Sequence, residues 1–257
     1  MDIVVCVKTN PDLQMVRIKD REAVVEAVPY KLGDLEKNAL EAAVVLRDAV
    51  GGKVTALTLA EGNRKAAEGI KEALAMGADE SVVIDDPALA APDQAAVAAV
   101  LAAAVGKIGS CDLLLFGEGS TDNYTGQVGA RVAEILGLPQ IGYARKIEAD
   151  GGVVRCERSM DDMIETLEAA LPAVVTVVSE INEPRIPSLM HIMKAKSKPQ
   201  QVWSLADLGL GAPQPVREIV SNLAEEQDRK HVLFEGSAAE QADAFVNALI
   251  KEGVLGR

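Results

Sequence analysis

Short apolar runs that do not alternate with polar residues, each followed by an amphipathic stretch, constrain this chain more than any other feature. DIVVCVK (2–8), KVTALTLA (53–60), SVVID (81–85) and CDLLLFG (111–117) are apolar almost throughout, as in strands covered on both faces. Between them apolar residues recur at three- and four-residue steps. Leu35, Ala39, Ala42, Leu46 and Ala49 mark a helix over about 34–50, stopped by Gly51-Gly52. Asn63 reads as the N-cap of a second helix with Ala66, Ile70, Ala73 and Leu74 as its stripe and Gly77 at its end. The Ala-rich segment 93–108 is the third. A fourth spans roughly Thr125–Leu136, with Val128, Val132 and Ile135 inward and Gly137-Leu138-Pro139 ending it. Four strand–helix units in succession predict an α/β fold: a doubly wound, mostly parallel sheet with right-handed crossovers.

Elsewhere the rhythm differs. MVRIK (15–19) and AVVEAV (23–28) flank a polar turn and predict a small hairpin at the sheet edge. After Pro139, IGYARKIEA, GGVVRCERSM, MIETLEAAL and AVVTVVS follow without a long helix between them, which predicts antiparallel additions to the sheet; Asp150-Gly151-Gly152 is a hairpin turn. Residues 182–198, with prolines and Lys194, Lys196 and Lys198, read as a protruding loop and short helix. The division expected is a domain over 1–200 and an arm over 201–257. The arm ends in an amphipathic helix (238–251) with Ala242, Phe245, Leu249 and Ile250 on one side. A lone terminal helix of this kind usually docks on something, and a separate subunit is one candidate.

At 27.1 kDa a compact protein exposes about 11,000 Å² of the roughly 39,000 Å² of its unfolded chain, enough burial for one full core. No stretch approaches ~20 apolar residues; Ala95–Val105 is too short to span a bilayer. The MDIVVCVK start lacks the marks of a secretory signal, so a cytoplasmic protein without membrane insertion is expected. The formal charge of −13 repels phosphate backbones and argues against nucleic-acid partners. Cys6, Cys111 and Cys156 are scattered, without CxxC, and His191 and His231 are the only histidines. Neither a disulfide framework nor a metal site is expected, and Cys6 and Cys111 read as small buried hydrophobes.

In a doubly wound sheet ligands bind beyond the C-terminal strand ends, where strand order reverses. The loops there begin at Lys8, Leu59 and Gly117, and the last is the richest. Residues 117–127, GEGSTDNYTGQ, join a buried strand to a helix whose N-terminus suits phosphate; Ser120, Thr121, Asn123, Thr125 and Gln127 offer hydrogen bonds. The same residues could equally make the turn and cap the helix. The loop completes neither GxGxxG nor a P-loop, which weakens hydride-transfer and ATPase readings. Ser120 has no histidine near it in sequence, His191 sits among methionines, and Asp161-Asp162 point to opposite faces of a hairpin. No catalytic acid, base or nucleophile emerges, as for a protein whose bound cofactor supplies the chemistry.

VVCVK, ALAMGADE (73–80), GEGSTDNYTGQVGARVAEILGLPQ (117–140), LPAVVTV (171–177) and NEPRIPSLMHIMKAKSK (182–198), in that order, resemble the beta subunit of electron transfer flavoproteins. The resemblance runs from Met1 to about Lys198. It implies a Rossmann-like adenine-nucleotide-binding fold and a heterodimer with an alpha subunit that holds most of an FAD. The pocket of this chain would hold AMP, or a second FAD in the electron-bifurcating branch. Pocket positions implied are Cys6, Leu32, Gly33, Leu35, Leu59, Ser120, Thr121, Asp122, Asn123, Tyr124, Thr125, Gly126, Gln127, Val128 and Gly129. Asn10–Leu13 matches a segment near the alpha-bound flavin. Leu189 matches the anchor of a recognition loop, flanked by Arg185 and Lys194, that docks on acyl-CoA or other dehydrogenases; the acceptor would be a quinone oxidoreductase or ferredoxin. This sequence departs from the pattern at Lys31-Leu32-Gly33-Asp34, Leu59-Ala60-Glu61 and Asp122-Asn123-Tyr124, all around the pocket, which leaves AMP against FAD open. Residues alone also admit a stand-alone AMP- or ATP-binding regulatory module.

Overall fold

The computed structural model describes residues 1–60, 64–213, 216–217, 220–225 and 230–256. The first strand, β1 (Asp2–Cys6), is followed by β2 (Thr9–Pro11), β3 (Arg17–Lys19), β4 (Glu22–Val24), β5 (Tyr30–Leu32) and α1 (Asp34–Val50). Then come β6 (Lys53–Leu59), α2 (Arg64–Met76), β7 (Glu80–Ile84), α3 (Gln94–Ile108), β8 (Leu113–Gly117) and α4 (Val128–Leu136). The second half holds β9 (Gln140–Asp150), β10 (Val153–Ser159), β11 (Ile164–Ala170), β12 (Ala173–Val177), α5 (Leu189–Ala195), β13 (Gln200–Trp203) and α6 (Ala238–Lys251). The expected N-cap Asn63 and the side chain of Ala66 lie outside the described residues.

Among these residues one nine-stranded sheet runs β11-β10-β9-β12-β8-β1-β6-β7-β13, and the fold is the expected Rossmann-like α/β arrangement. From β12 to β13 every pairing is parallel. Alternate side chains of β1 enter two cores. Ile3, Val5 and Val7 pack with α1 and α2 on one face. Val4 and Cys6 pack with α3 and α4 on the other. Burial on both faces is why these strands carry no polar alternation.

Several expectations change. The hairpin β3–β4 forms, but as a separate exposed two-stranded sheet. Of the late strands only β9, β10 and β11 pair antiparallel; β12 inserts parallel between β8 and β9. Gln200–Trp203, assigned from sequence mostly to the arm, is the edge strand beside β7. Its Trp203 lies under the Lys107 ammonium, 4.6 Å from the ring centre, and Leu205 just after it is buried. Helix α4 starts three residues later than predicted, and Ile135 faces solvent while Ala133 takes its place inside. In α1, Ala49 is exposed, whereas Glu36, Asn38 and Glu41 are buried among the apolar stripe.

Candidate functional site

The strand order reverses at β1: β6 and β7 lie to one side, while β8 follows on the other. A cavity of about 290 Å³ opens there, beyond the C-terminal ends of β1, β6 and β8. Its apolar wall is Cys6, Leu59, Val97, Leu101 and Phe116. Its polar wall is the turn after β8 together with the first residues of α4: Gly117–Ser120, Asp122, Asn123, Thr125, Gly126, Gln127, Val128 and Gly129.

That turn is shaped by its sequence. Gly126 has φ +63°, a left-handed conformation that favours glycine. A Cβ on Gly129 would fall 2.7 Å from the Thr176 methyl, so glycine lets α4 close onto β12. The N-cap of α4, Gln127, is in helical conformation and makes no side-chain cap. The first N–H groups of the helix therefore meet the cavity without a capping side chain, an arrangement that favours an anion. Gln127 instead receives the Arg131 guanidinium (3.0 Å).

Of the fifteen pocket positions expected from the resemblance, ten line one cavity: Cys6, Leu59, Ser120, Asp122, Asn123, Thr125, Gly126, Gln127, Val128 and Gly129. Five others do not line it. Leu32, Gly33 and Thr121 line a neighbouring hollow of about 150 Å³ with Asn10–Gln14 and Lys31. Leu35 packs on Gly117, where a Cβ would lie 2.8 Å from its own. Tyr124, at φ +43° and 60 % exposed, lays its ring over Gly119 and donates to Glu118 (2.6 Å), so it covers the turn from outside. The Glu118 carboxylate pushes the Tyr124 phenol up to about 12.

The electrostatics are specific. Lys8 donates to Asp122 at 2.6 Å; although burial opposes it, this ammonium holds the Asp122 carboxyl below its usual range. Burial pushes the Cys6 thiol well up, so it serves as wall and not as nucleophile. Glu36, only 4 % exposed, also lines the cavity, and burial raises its carboxyl to about 7. Sequence reasoning missed Glu36, Gln94 and Arg217. Gln94 and its neighbours Ala91 and Pro92 follow β7, a strand end that the switch-point rule should have included. Arg217 arrives from the distant C-terminal segment, tied by the Val216 N–H to Asp93 (2.8 Å).

The segment after β12 forms a second feature. Asn38 on α1 donates to the carbonyls of Ser179 and Asn182, and Asn182 donates back to the Asn38 carbonyl. Arg185 forks onto Glu41 at 2.7 and 2.9 Å. Lys198 donates to the carbonyls of Leu74 and Ala78 at the end of α2. Between these anchors α5 carries Leu189, Met190 and Met193 into solvent, Leu189 being 75 % exposed, with Lys194 exposed beside them. Arg185, expected to flank a docking surface, is held against Glu41 as an anchor while its side chain stays 37 % exposed. Among the described residues no cluster of metal-ligating side chains occurs, and no helix is long and apolar enough to cross a membrane.

The family model described as "electron transfer flavoprotein domain" matches residues 22–208. This span holds α1, the turn after β8, all of α4 and the anchored α5 segment. The chain belongs to the electron transfer flavoprotein family.

Proposed function

We propose that this chain is the beta subunit of a heterodimeric electron transfer flavoprotein, with an adenine nucleotide in the cavity between β1 and β8. The observation that carries the reading is the uncapped α4 N-terminus facing a cavity at the reversal of strand order. Phosphate would rest on the first turn of α4 near Arg217, with the base against Leu59, Val97 and Leu101. The volume of 290 Å³ is at the lower end of small-molecule sites, roughly 300–1,000 Å³, which favours AMP over a second FAD.

The FAD shared with the alpha subunit would supply the electron-carrying chemistry. The residues of this chain would bind, exclude water and present α5 to dehydrogenases, breaking no bond themselves. An apolar knob centred on Leu189 suits a small transient interface. The exposed area also supports a partner subunit: 14,953 Å² against about 11,000 Å² for a compact protein of this mass.

The test is isolation of the chain from its native host. We expect a two-chain complex with a flavin absorption band, one FAD and one AMP per heterodimer. Two FAD and no AMP would transfer the assignment to the bifurcating type. A colourless single chain carrying AMP or ATP would make it a regulatory module.

A further inference from the structure

Of the seven methionines, the two most exposed, Met190 at 62 % and Met193 at 67 %, sit together on α5. Residues three and four apart are neighbours on a helix, so Met193 stands beside both Met190 and Leu189, and the two thioethers border the Leu189 knob on one face. The helix beneath them is held without their help. Ser188 caps it at the His191 N–H, and Ala195 is buried at its far end. The Arg185–Glu41 pair and Lys198 tie down the chain on either side. Chemistry at these two sulfurs therefore alters what the surface offers a partner and leaves the fold as it was. The other methionines stand elsewhere. Met1 and Met76 pack with the core, while Met15, Met160 and Met163 are exposed before β3 and between β10 and β11.

Resting on the reading of α5 as the surface that meets dehydrogenases, we propose that Met190 and Met193 form an oxidation site through which peroxide turns docking off. Hydrogen peroxide, a product of reduced flavins with dioxygen, is the oxidant. Its O–O bond breaks as one oxygen bonds to the thioether sulfur; the sulfur gives up two electrons, and the second oxygen leaves with both protons as water. The sulfoxide is polar where the thioether is apolar. On the free protein it stays hydrated and costs the fold nothing. At the interface a dehydrogenase has to strip water from a polar group next to the Leu189 anchor, and the complex weakens. Sulfoxide reductases return the thioether, so the change is reversible.

The experiment exposes the full chain, with any co-purifying subunit, to hydrogen peroxide near neutral pH. Peptide mass mapping locates the added oxygen, and stopped-flow absorbance follows reduction of the bound flavin by an acyl-CoA dehydrogenase of the native host. Expected is one oxygen on each of Met190 and Met193, an unchanged unfolding midpoint, and reduction slowed about tenfold at limiting dehydrogenase. Methionine sulfoxide reductases for both epimers should restore the rate. The double variant Met190→Leu, Met193→Leu should keep its own untreated rate after peroxide. The triple variant Met15→Leu, Met160→Leu, Met163→Leu should lose as much as the parent. Intact thioethers at Met190 and Met193, oxidation there with an unchanged rate, a rate that falls only with the unfolding midpoint, or equal loss in the double variant overturns this inference alone. A chain that carries no flavin, or one that the dehydrogenase does not reduce before treatment, overturns the docking reading and this inference with it.

Discussion

A buried glutamate that is half-ionised near neutrality is a burden on the fold, and the sign of that burden can be measured. Glu36 is raised from 4.5 to about 7 by desolvation. The folded state therefore binds more protons than the unfolded state between those values, so its contribution falls as pH rises from 4.5 to 7 and is flat above. Glu36→Gln should stabilise the nucleotide-free protein by up to about 3 kcal/mol above pH 7 and by almost nothing near pH 4. Denaturant unfolding at the two pH values would check this; equal effects at both would refute it. Glu36 was not legible in sequence because a glutamate in a first helical turn is ordinary there. The signal lay in Gly33, a glycine at the cap where a capping side chain is the rule. Tyr124 poses the opposite problem: its place within the turn after β8 says nothing about which way its ring faces, and here the ring lies over Gly119.

At the level of elements, the α5 segment separates anchoring from presentation. Leu189→Ala removes an exposed side chain and should leave the free energy of unfolding within about 0.5 kcal/mol of the parent while slowing electron transfer with dehydrogenases. Arg185→Ala should instead cost about 1–3 kcal/mol, because it leaves the buried Glu41 without its partner. Unfolding curves beside stopped-flow reduction rates distinguish the two; a destabilised Leu189→Ala, or a neutral Arg185→Ala, would reverse the assignment. The four parallel strands and their helices were readable from apolar runs and periodicity. The start of α4 was not, because Thr125 resembles a cap in sequence while Gly126 at positive φ and Gln127 carry the chain past it. Arg185 beside lysines read as part of a charged rim, since no local pattern reveals a partner 144 residues away.

For the whole molecule, the boundary between body and arm has a measurable position. Ending the chain after Leu210 keeps β13, Trp203 and Leu205, and should leave cooperative unfolding of the body intact while abolishing assembly with a second subunit. Ending it after Lys198 strips the edge of β7 and exposes Leu89 and its neighbours in the α3 core, and should yield an aggregating or markedly less stable product. Calorimetry and gel filtration of the two truncations decide this; equal stability would place the boundary at 200. The four-residue strand escaped the sequence reading because QQVW is half polar and follows a proline-bearing loop. Helix α6 was bounded correctly, with Ser237 and Glu240 forming a capping box, yet none of its residues is buried on its own chain. The two ends of the main sheet have one more consequence. On one side it finishes in only four residues, and on the other in β11, which carries Glu165 and Glu168. Both are poor templates for a foreign strand, so crowding this protein with copies of itself should not seed fibres through its sheet margins.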